Sequence, residues 1–295
     1  MKPIINAPKT HEEIIRYFEE AGMDYGAWSP NFNMHFGYYK AGLNPFRRES
    51  LLDQLNEEVR LRLQLPLEEE SLTLDLGCGL GATARYMARR HPKAFVHGLT
   101  ITPWQVTQGQ KLNHASGLEQ RVFLEEADFC ELPVDDEMAD ACYAVESACY
   151  AEGADKAPLV QEMARCLRKG GRFVIADGFR KHSRPLPGWL EKIYRANLRC
   201  WALKDLADIE AMKTRLRKAG FHRIVVEDVS WRIAPSFLHI PIVSLKFLWQ
   251  QWRKNGSLRL SAERWNNVKA PLLGMLMGLC RTHFSYYLIS GQKRW

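Results

Sequence analysis

From residue 71 to residue 177 short apolar runs alternate with amphipathic stretches. The runs 71–76, 94–99, 121–126, 139–145 and 171–177 have strand length, whereas 79–91, 103–116 and 156–168 carry apolar residues at helical spacing. Strands that alternate with helices predict parallel pairing through crossovers, hence a doubly wound α/β sheet. Upstream, the period predicts helices over 10–22, with Ile14, Ile15 and Phe18 on one face, and over 48–63, with a Leu51, Leu52, Leu55 and Val59 stripe. Between them Asp24–Tyr39 reads as an aromatic loop. Downstream the rhythm breaks at Pro185, Pro187 and Gly188. Helices are predicted over 189–203 and 205–219, with strands over 223–229 and 284–289. The excursion 232–280 is too long for a connection and predicts a lid or subdomain. Three regions result: 1–66, helices and an aromatic lid; 67–180, the sheet core; 181–295, a helical cap with the last strands.

Charge is unevenly spread over the 295 residues, whose net value is +7. Residues 1–180 hold 20 Lys and Arg against 27 Asp and Glu, and residues 181–295 hold 21 against 7, together with seven of the nine tryptophans. A basic, aromatic segment suits nucleic acid or an anionic membrane surface. Ser236–Trp249 is too apolar for a groove that tracks phosphates, which favours a lipid substrate or peripheral membrane contact through 232–280 and no nucleic acid. A buried cap helix is the plainer explanation of the same stretch. Seven cysteines, an odd number with no CxxC pair and no Cys/His cluster at zinc spacing, predict free thiols in a reducing compartment and no metal site. Met1–Asn6 runs straight into polar residues and no apolar run reaches about 18 residues. A cytoplasmic protein, at most membrane-associated, is expected; monomer and homo-oligomer stay open.

The candidate chemistry begins at the end of the first strand. In Leu72–Ala84 an apolar run ends in Asp75, and Gly77, Gly79 and Gly81, with Cys78 among them, then open a helix. Glycines there permit a sharp turn and close backbone approach to a ligand. A dinucleotide site leaves this loop free for a pyrophosphate and keeps its acid about 20 residues on. Here the acid precedes the first glycine, where it repels phosphate and favours a cation. S-adenosylmethionine (SAM) has no phosphate and carries ammonium and sulfonium charges. Later strand ends continue that pattern: Thr100, Thr102 and Gln105 where ribose oxygens would sit, Asp128 and Phe129 for the adenine amino group and ring, and Glu146 at the edge of the site.

With these residues in order the chain resembles the class I SAM-dependent methyltransferases, in the branch of sterol C-24 methyltransferases, tocopherol methyltransferases and cyclopropane fatty-acid synthases. Asp75–Gly81 resembles the first motif, Gly98–Gln105 the second, Asp128–Pro133 the third, and Val145–Tyr150 the Glu-containing strand end of the sterol enzymes. Arg165–Gly171 is similar to the approach to the fifth strand, and Met34–Tyr39 resembles the branch's aromatic motif, whose histidine matches His35. The resemblance implies a Rossmann-like mixed sheet with an N-terminal helical segment and a helical C-terminal cap. It implies SAM as cofactor, held by Asp75, Gly77, Cys78, Gly79, Thr100, Thr102, Gln105, Asp128, Phe129 and Glu146. The expected reaction is carbon methylation of a hydrophobic terpenoid, with sterol side-chain methylation the leading expectation. Glu146, His35 and Tyr25 are the catalytic candidates, and Trp28, Phe32, Phe36, Tyr38 and Tyr39 the substrate-binding ones. Tocopherol-like or small natural-product methylation, lipid cyclopropanation, and a non-catalytic SAM- or lipid-binding role are the alternatives.

Overall fold

The computed structural model describes residues 9–294; the opening Met1–Asn6, where no leader is expected, lies outside them. The chain starts with α1 (Lys9–Ala21), and a single 3-10 turn leads to the four-residue α2 (Tyr25–Trp28) and then α3 (Arg48–Leu63). The alternating core follows as β1 (Ser71–Leu76), α4 (Ala82–Arg90), β2 (Ala94–Thr100), α5 (Pro103–Ala115), β3 (Val122–Glu126), β4 (Ala139–Val145), α6 (Ala157–Cys166) and β5 (Leu167–Arg180). After it come α7 (Gly188–Cys200), the two-residue β6 (Ala207–Asp208), α8 (Ile209–Lys218) and β7 (Phe221–Asp228). The last stretch is α9 (Ser230–Phe237), α10 (His239–Asn255), α11 (Ala262–Leu279) and β8 (Phe284–Lys293).

The sheet runs β3-β2-β1-β4-β5-β8-β7, with β6 paired to the end of β5. Its pairs are parallel from β3 to β5, and β8 lies antiparallel to both β5 and β7, so the sheet is mixed. Side chains on a strand alternate between faces. Leu74, Leu76, Cys142, Ala144, Phe173 and Ile175 accordingly join Leu159, Met163, Met212 and Leu216 of α6 and α8 on one face. Ala141, Tyr143, Val174 and Ala176 join Leu55, Val59 and Leu63 of α3 and Ala84 and Met87 of α4 on the other. The predicted stripe of α3 is fully buried. Cutting any of its leucines back to alanine would cost about 2–5 kcal/mol.

Element ends differ from expectation where special backbone intervenes. The helix expected from residue 79 starts at Ala82, because Gly77, Gly79 and Gly81 hold φ of +83°, +53° and +75°. Left-handed residues cannot begin a right-handed helix. The helix expected from 205 starts at Ile209, where Asp208 Oδ1 accepts the backbone N–H groups of Glu210 (3.0 Å) and Ala211 (3.1 Å). The residues just before it pair with β5 instead. The aromatic segment contains α2, and the long excursion folds as α9–α11. These helices close over the sheet with α1 and α2, tied to them by Arg264, whose guanidinium makes two 2.8 Å bonds to Asp24. All seven cysteines are free. Among the described residues no helix is long and apolar enough to cross a membrane.

Candidate active site

The strand order reverses between β1 and β4, so the loops after them diverge and leave a crevice at their carboxyl ends. A cavity of about 800 Å³ occupies it and continues beneath the cap, where Ile233, Phe237, Ile240, Phe247 and Met277 line it.

Gly77, Cys78 and Gly79 form one wall of the cavity. The N–H groups of Gly77 and Cys78 both donate to Leu99 O, at 2.9 and 3.0 Å, which holds the loop against β2. A Cβ on Gly77 would collide with the Ser147 side chain, and one on Gly79 would stand 3.1 Å from Met34 Sδ. Behind the loop Asp75 is buried and accepts a 2.9 Å bond from the Tyr143 hydroxyl, which reaches it from the same face of β4. Burial pushes its pKa up to about 7 despite that bond.

After β2 the Thr100 hydroxyl donates to Gln105 Oε1 at 2.6 Å. Thr102 stands at the N-cap of α5 without capping it, and its buried Oγ1 has no partner. Buried hydroxyls are normally bonded, and this one stands at the cavity wall without a partner. Asp128 accepts the Cys130 N–H at 2.8 Å and lies 3.4 Å from His11 of α1. Phe129 lines the cavity beside it.

Glu146 follows β4 with φ +51°, a left-handed conformation that costs a non-glycine residue about 1 kcal/mol or more and is concentrated at functional sites. Its Oε1 accepts the Phe36 N–H at 2.7 Å and the Tyr286 hydroxyl at 2.9 Å. Burial raises its pKa to about 8, and nearby Asp177 adds to the rise. His35 is buried with Nδ1 2.8 Å from Phe36 O, while Nε2 has no partner. Burial lowers its pKa to about 4, so the ring is neutral near pH 7. Tyr25 lies 3.2 Å from the Tyr17 hydroxyl, which itself donates to Asn267 Oδ1 at 2.9 Å. Tyr25 therefore donates to Tyr17, and burial raises its pKa to about 12. Trp28, Phe32 and Phe36 face the cavity. Edge-to-face contacts run from Trp28 to Phe36 (6.1 Å) and on to Phe237 of α9 (4.6 Å).

Tyr38 and Tyr39 do not line the cavity. Gly37 lies so close to α3 that a Cβ would stand 2.5 Å from that of Leu51, and this approach turns Tyr38 into the core with Leu55 and Val59. The Tyr39 N–H donates to Arg232 O. Several lining residues went unread in the sequence. Asp177 ends the apolar run expected over 171–177, although β5 itself continues to Arg180, and the strand-end rule applied to that run would have found it. Its buried carboxylate accepts the N–H groups of Cys149 (2.9 Å) and Gly178 (2.7 Å) and has its pKa raised by burial to about 6. Tyr286, Met34, Trp201 and Asn197 carry no such signal, because tertiary contacts alone bring them to the cavity.

The donor set suits a cation. Asp75, Asp128, Glu146, Glu152 and Asp177 line the cavity together with Asp24, which Arg264 engages, whereas Arg281 is the one Lys or Arg among its described lining residues and is engaged by Asp228 at 2.9 Å. An acidic wall, a glycine cradle without room for a Cβ at Gly77, and the unpartnered Thr102 hydroxyl fit SAM and oppose a phosphate.

Residues 74–175 match the family model of a methyltransferase domain. The O-methyltransferase cnsE of Penicillium expansum is 31% identical over 206 residues, 69% of this chain and 70% of its own. Cycloartenol-C-24-methyltransferase 1 of Oryza sativa subsp. japonica is 28% identical over 236 residues, 78% of this chain and 64% of its own. The cyclopropane synthase MmaA2 of Mycobacterium tuberculosis shares the fold, with a TM-score of 0.81 at 14% identity over 98% of this chain and 100% of the other. The chain belongs to the class I SAM-dependent methyltransferases. It is a methyltransferase whose cofactor is SAM.

Proposed function

We propose that the protein is a C-methyltransferase that transfers the methyl group to a hydrophobic acceptor of terpenoid type, with a sterol side chain the leading substrate. The observation that carries this reading is the cavity itself. It continues from the glycine loop into an apolar, aromatic-walled space beneath the cap, and Glu146 is part of its wall. SAM, when bound, supplies an electrophilic methyl group on a positively charged sulfur. Asp75, the Gly77–Gly79 backbone, Thr100, Thr102, Gln105, Asp128 and Phe129 are the residues that would hold it.

Methylation of an isolated alkene leaves positive charge on the acceptor, and that charge must be shielded from water. The rings of Trp28, Phe32, Phe36 and Tyr25 line the cavity, and a desolvated cation over an aromatic face is stabilised by about 2 kcal/mol. Glu146, fixed by Phe36 and Tyr286 and favoured as the carboxylate by the positive charge of SAM when that is bound, accepts the proton whose loss restores the double bond. The similarity to cycloartenol-C-24-methyltransferase supports carbon as the target. The O-methyltransferase relative, with His35 in the cavity wall, favours a second reading, methylation of an acceptor hydroxyl.

Incubation with labelled SAM and a panel of sterols, triterpenes, prenyl diphosphates and quinones tests both. The expected product is a terpenoid alkene bearing a new carbon-bound methyl, located by NMR. A methyl found only on oxygen or nitrogen decides against carbon methylation.

A further inference from the structure

We propose that the outer face of α10 and the rim of the cavity form a docking surface for an anionic lipid bilayer, from which the acceptor passes directly into the cavity. This rests on the reading of the acceptor as hydrophobic. The helix is apolar on two sides. Ile240, Val243 and Phe247 face inward and line the cavity. Leu238, just before the helix, and Ile242, Leu245, Trp249 and Trp252 along it recur at steps of four and three residues, and each is more than half exposed. Such spacing aligns them in one stripe. An exposed apolar stripe of this size marks an interaction surface rather than ordinary scatter.

The mouth of the cavity lies in the same surface. Trp231, Leu238 and Leu279 line the cavity and are also 76%, 71% and 75% exposed. Residues that serve both roles form a rim, and an apolar rim continuous with an apolar stripe spares a lipid-soluble acceptor any passage through water.

Charge selects the occupant. Between Val229 and Ala262 the chain carries Arg232, Lys246, Arg253, Lys254 and Arg259 and no Asp or Glu. The Arg253 guanidinium sits 5.2 Å over the Trp249 ring and that of Arg281 5.5 Å over Trp231. Arg281 is paired with Asp228, whereas the five basic residues of the segment make no ion pair with the described acids. Aromatic and aliphatic side chains flanked by such groups match the boundary between acyl chains and anionic headgroups. A second copy of the chain would set five positive charges against five more with no acid in the segment to offset them.

Sedimentation of the full chain with vesicles tests the surface. Partition onto phosphatidylcholine vesicles containing phosphatidylglycerol should exceed that onto phosphatidylcholine alone at least tenfold and weaken with salt. Leu245→Glu combined with Trp249→Glu should lower it at least tenfold, while SAM affinity and Tm stay unchanged. Lys246→Glu combined with Arg253→Glu should remove the preference for anionic lipid, and provides a variant with the apolar stripe intact. No anionic preference, or unchanged partition of both variants, overturns the proposal. A micromolar dimer dissociated by the first variant assigns the stripe to a second copy and overturns it equally. No acceptor enters this assay. Vesicle binding without terpenoid methylation therefore defeats the acceptor reading alone, and methylation of a detergent-solubilised sterol without vesicle binding defeats the surface alone.

Discussion

Glu146 combines three conditions seldom met in one residue: left-handed backbone, a place in the cavity wall, and a pKa raised to about 8 by burial. Replacing it by glutamine keeps the size and an oxygen to accept from Phe36 and Tyr286 but removes the proton acceptor. Glu146→Gln should therefore lower kcat about 100-fold or more, the range for a positioned general base, and leave SAM affinity within a few-fold by calorimetry. An equal loss of both would make Glu146 a cofactor ligand only. The pKa also has a consequence for stability. A carboxyl group whose folded pKa lies above its unfolded value binds its proton more tightly when folded. Its contribution is complete below about pH 4.5 and is lost as pH rises through about 8. Thermal melts of the ligand-free protein should show Tm falling over that window, with a smaller fall in Glu146→Gln.

The glycine loop shows how one short element sets the cofactor. Its positive φ angles turn the backbone sharply at the end of β1 and bring it into the cavity wall. Gly79→Val should abolish measurable SAM binding, because a β-branched residue resists φ +53° and its side chain would press on Met34. Thr102→Val is a subtler test in the next loop. A buried hydroxyl without a partner contributes nothing to the ligand-free fold, and a methyl in its place is neutral or stabilising. Tm should hold or rise while SAM affinity falls about tenfold, the value of one hydrogen bond at about 1 kcal/mol or slightly more. Unchanged affinity would remove Thr102 from the cofactor site.

Across the whole molecule, the acceptor half of the cavity exists only because two distant parts of the chain meet. Arg264 on α11 clasps Asp24 just before α2 through two 2.8 Å bonds, and Tyr17 on α1 reaches Asn267 on α11. Arg264→Ala should loosen this closure. Steady-state kinetics should show kcat/KM for the acceptor falling about tenfold with SAM affinity intact, and stability reduced by only about 1 kcal/mol, as expected for a partly exposed ion pair. A fall in SAM affinity as large as that in kcat/KM would mean that the clasp supports the core rather than the cap.

The legible part of this protein is the part whose physics is local. Period-two and period-3.6 patterns identify the strands and helices from 71 to 177, and residues at the ends of successive parallel strands must converge on one crevice, so Asp75, Thr100, Asp128 and Glu146 could be named in order. Asp177 closes the run 171–177 in the sequence and was within reach of the same rule, although β5 continues to Arg180. Tyr286 was not: it meets Glu146 only because β8 inserts antiparallel between β5 and β7, a pairing no local pattern records. Tyr38 was misplaced for a related reason, since its direction depends on how closely Gly37 approaches α3. Local spacing and backbone chemistry suffice for the sheet, the glycine cradle and the cofactor. Long-range packing of α10 and α11 against α2 and α1, with α7 and α9 packed on α11, creates the walls around the acceptor, because a cavity is a relation among surfaces distant in the chain and has no spacing of its own.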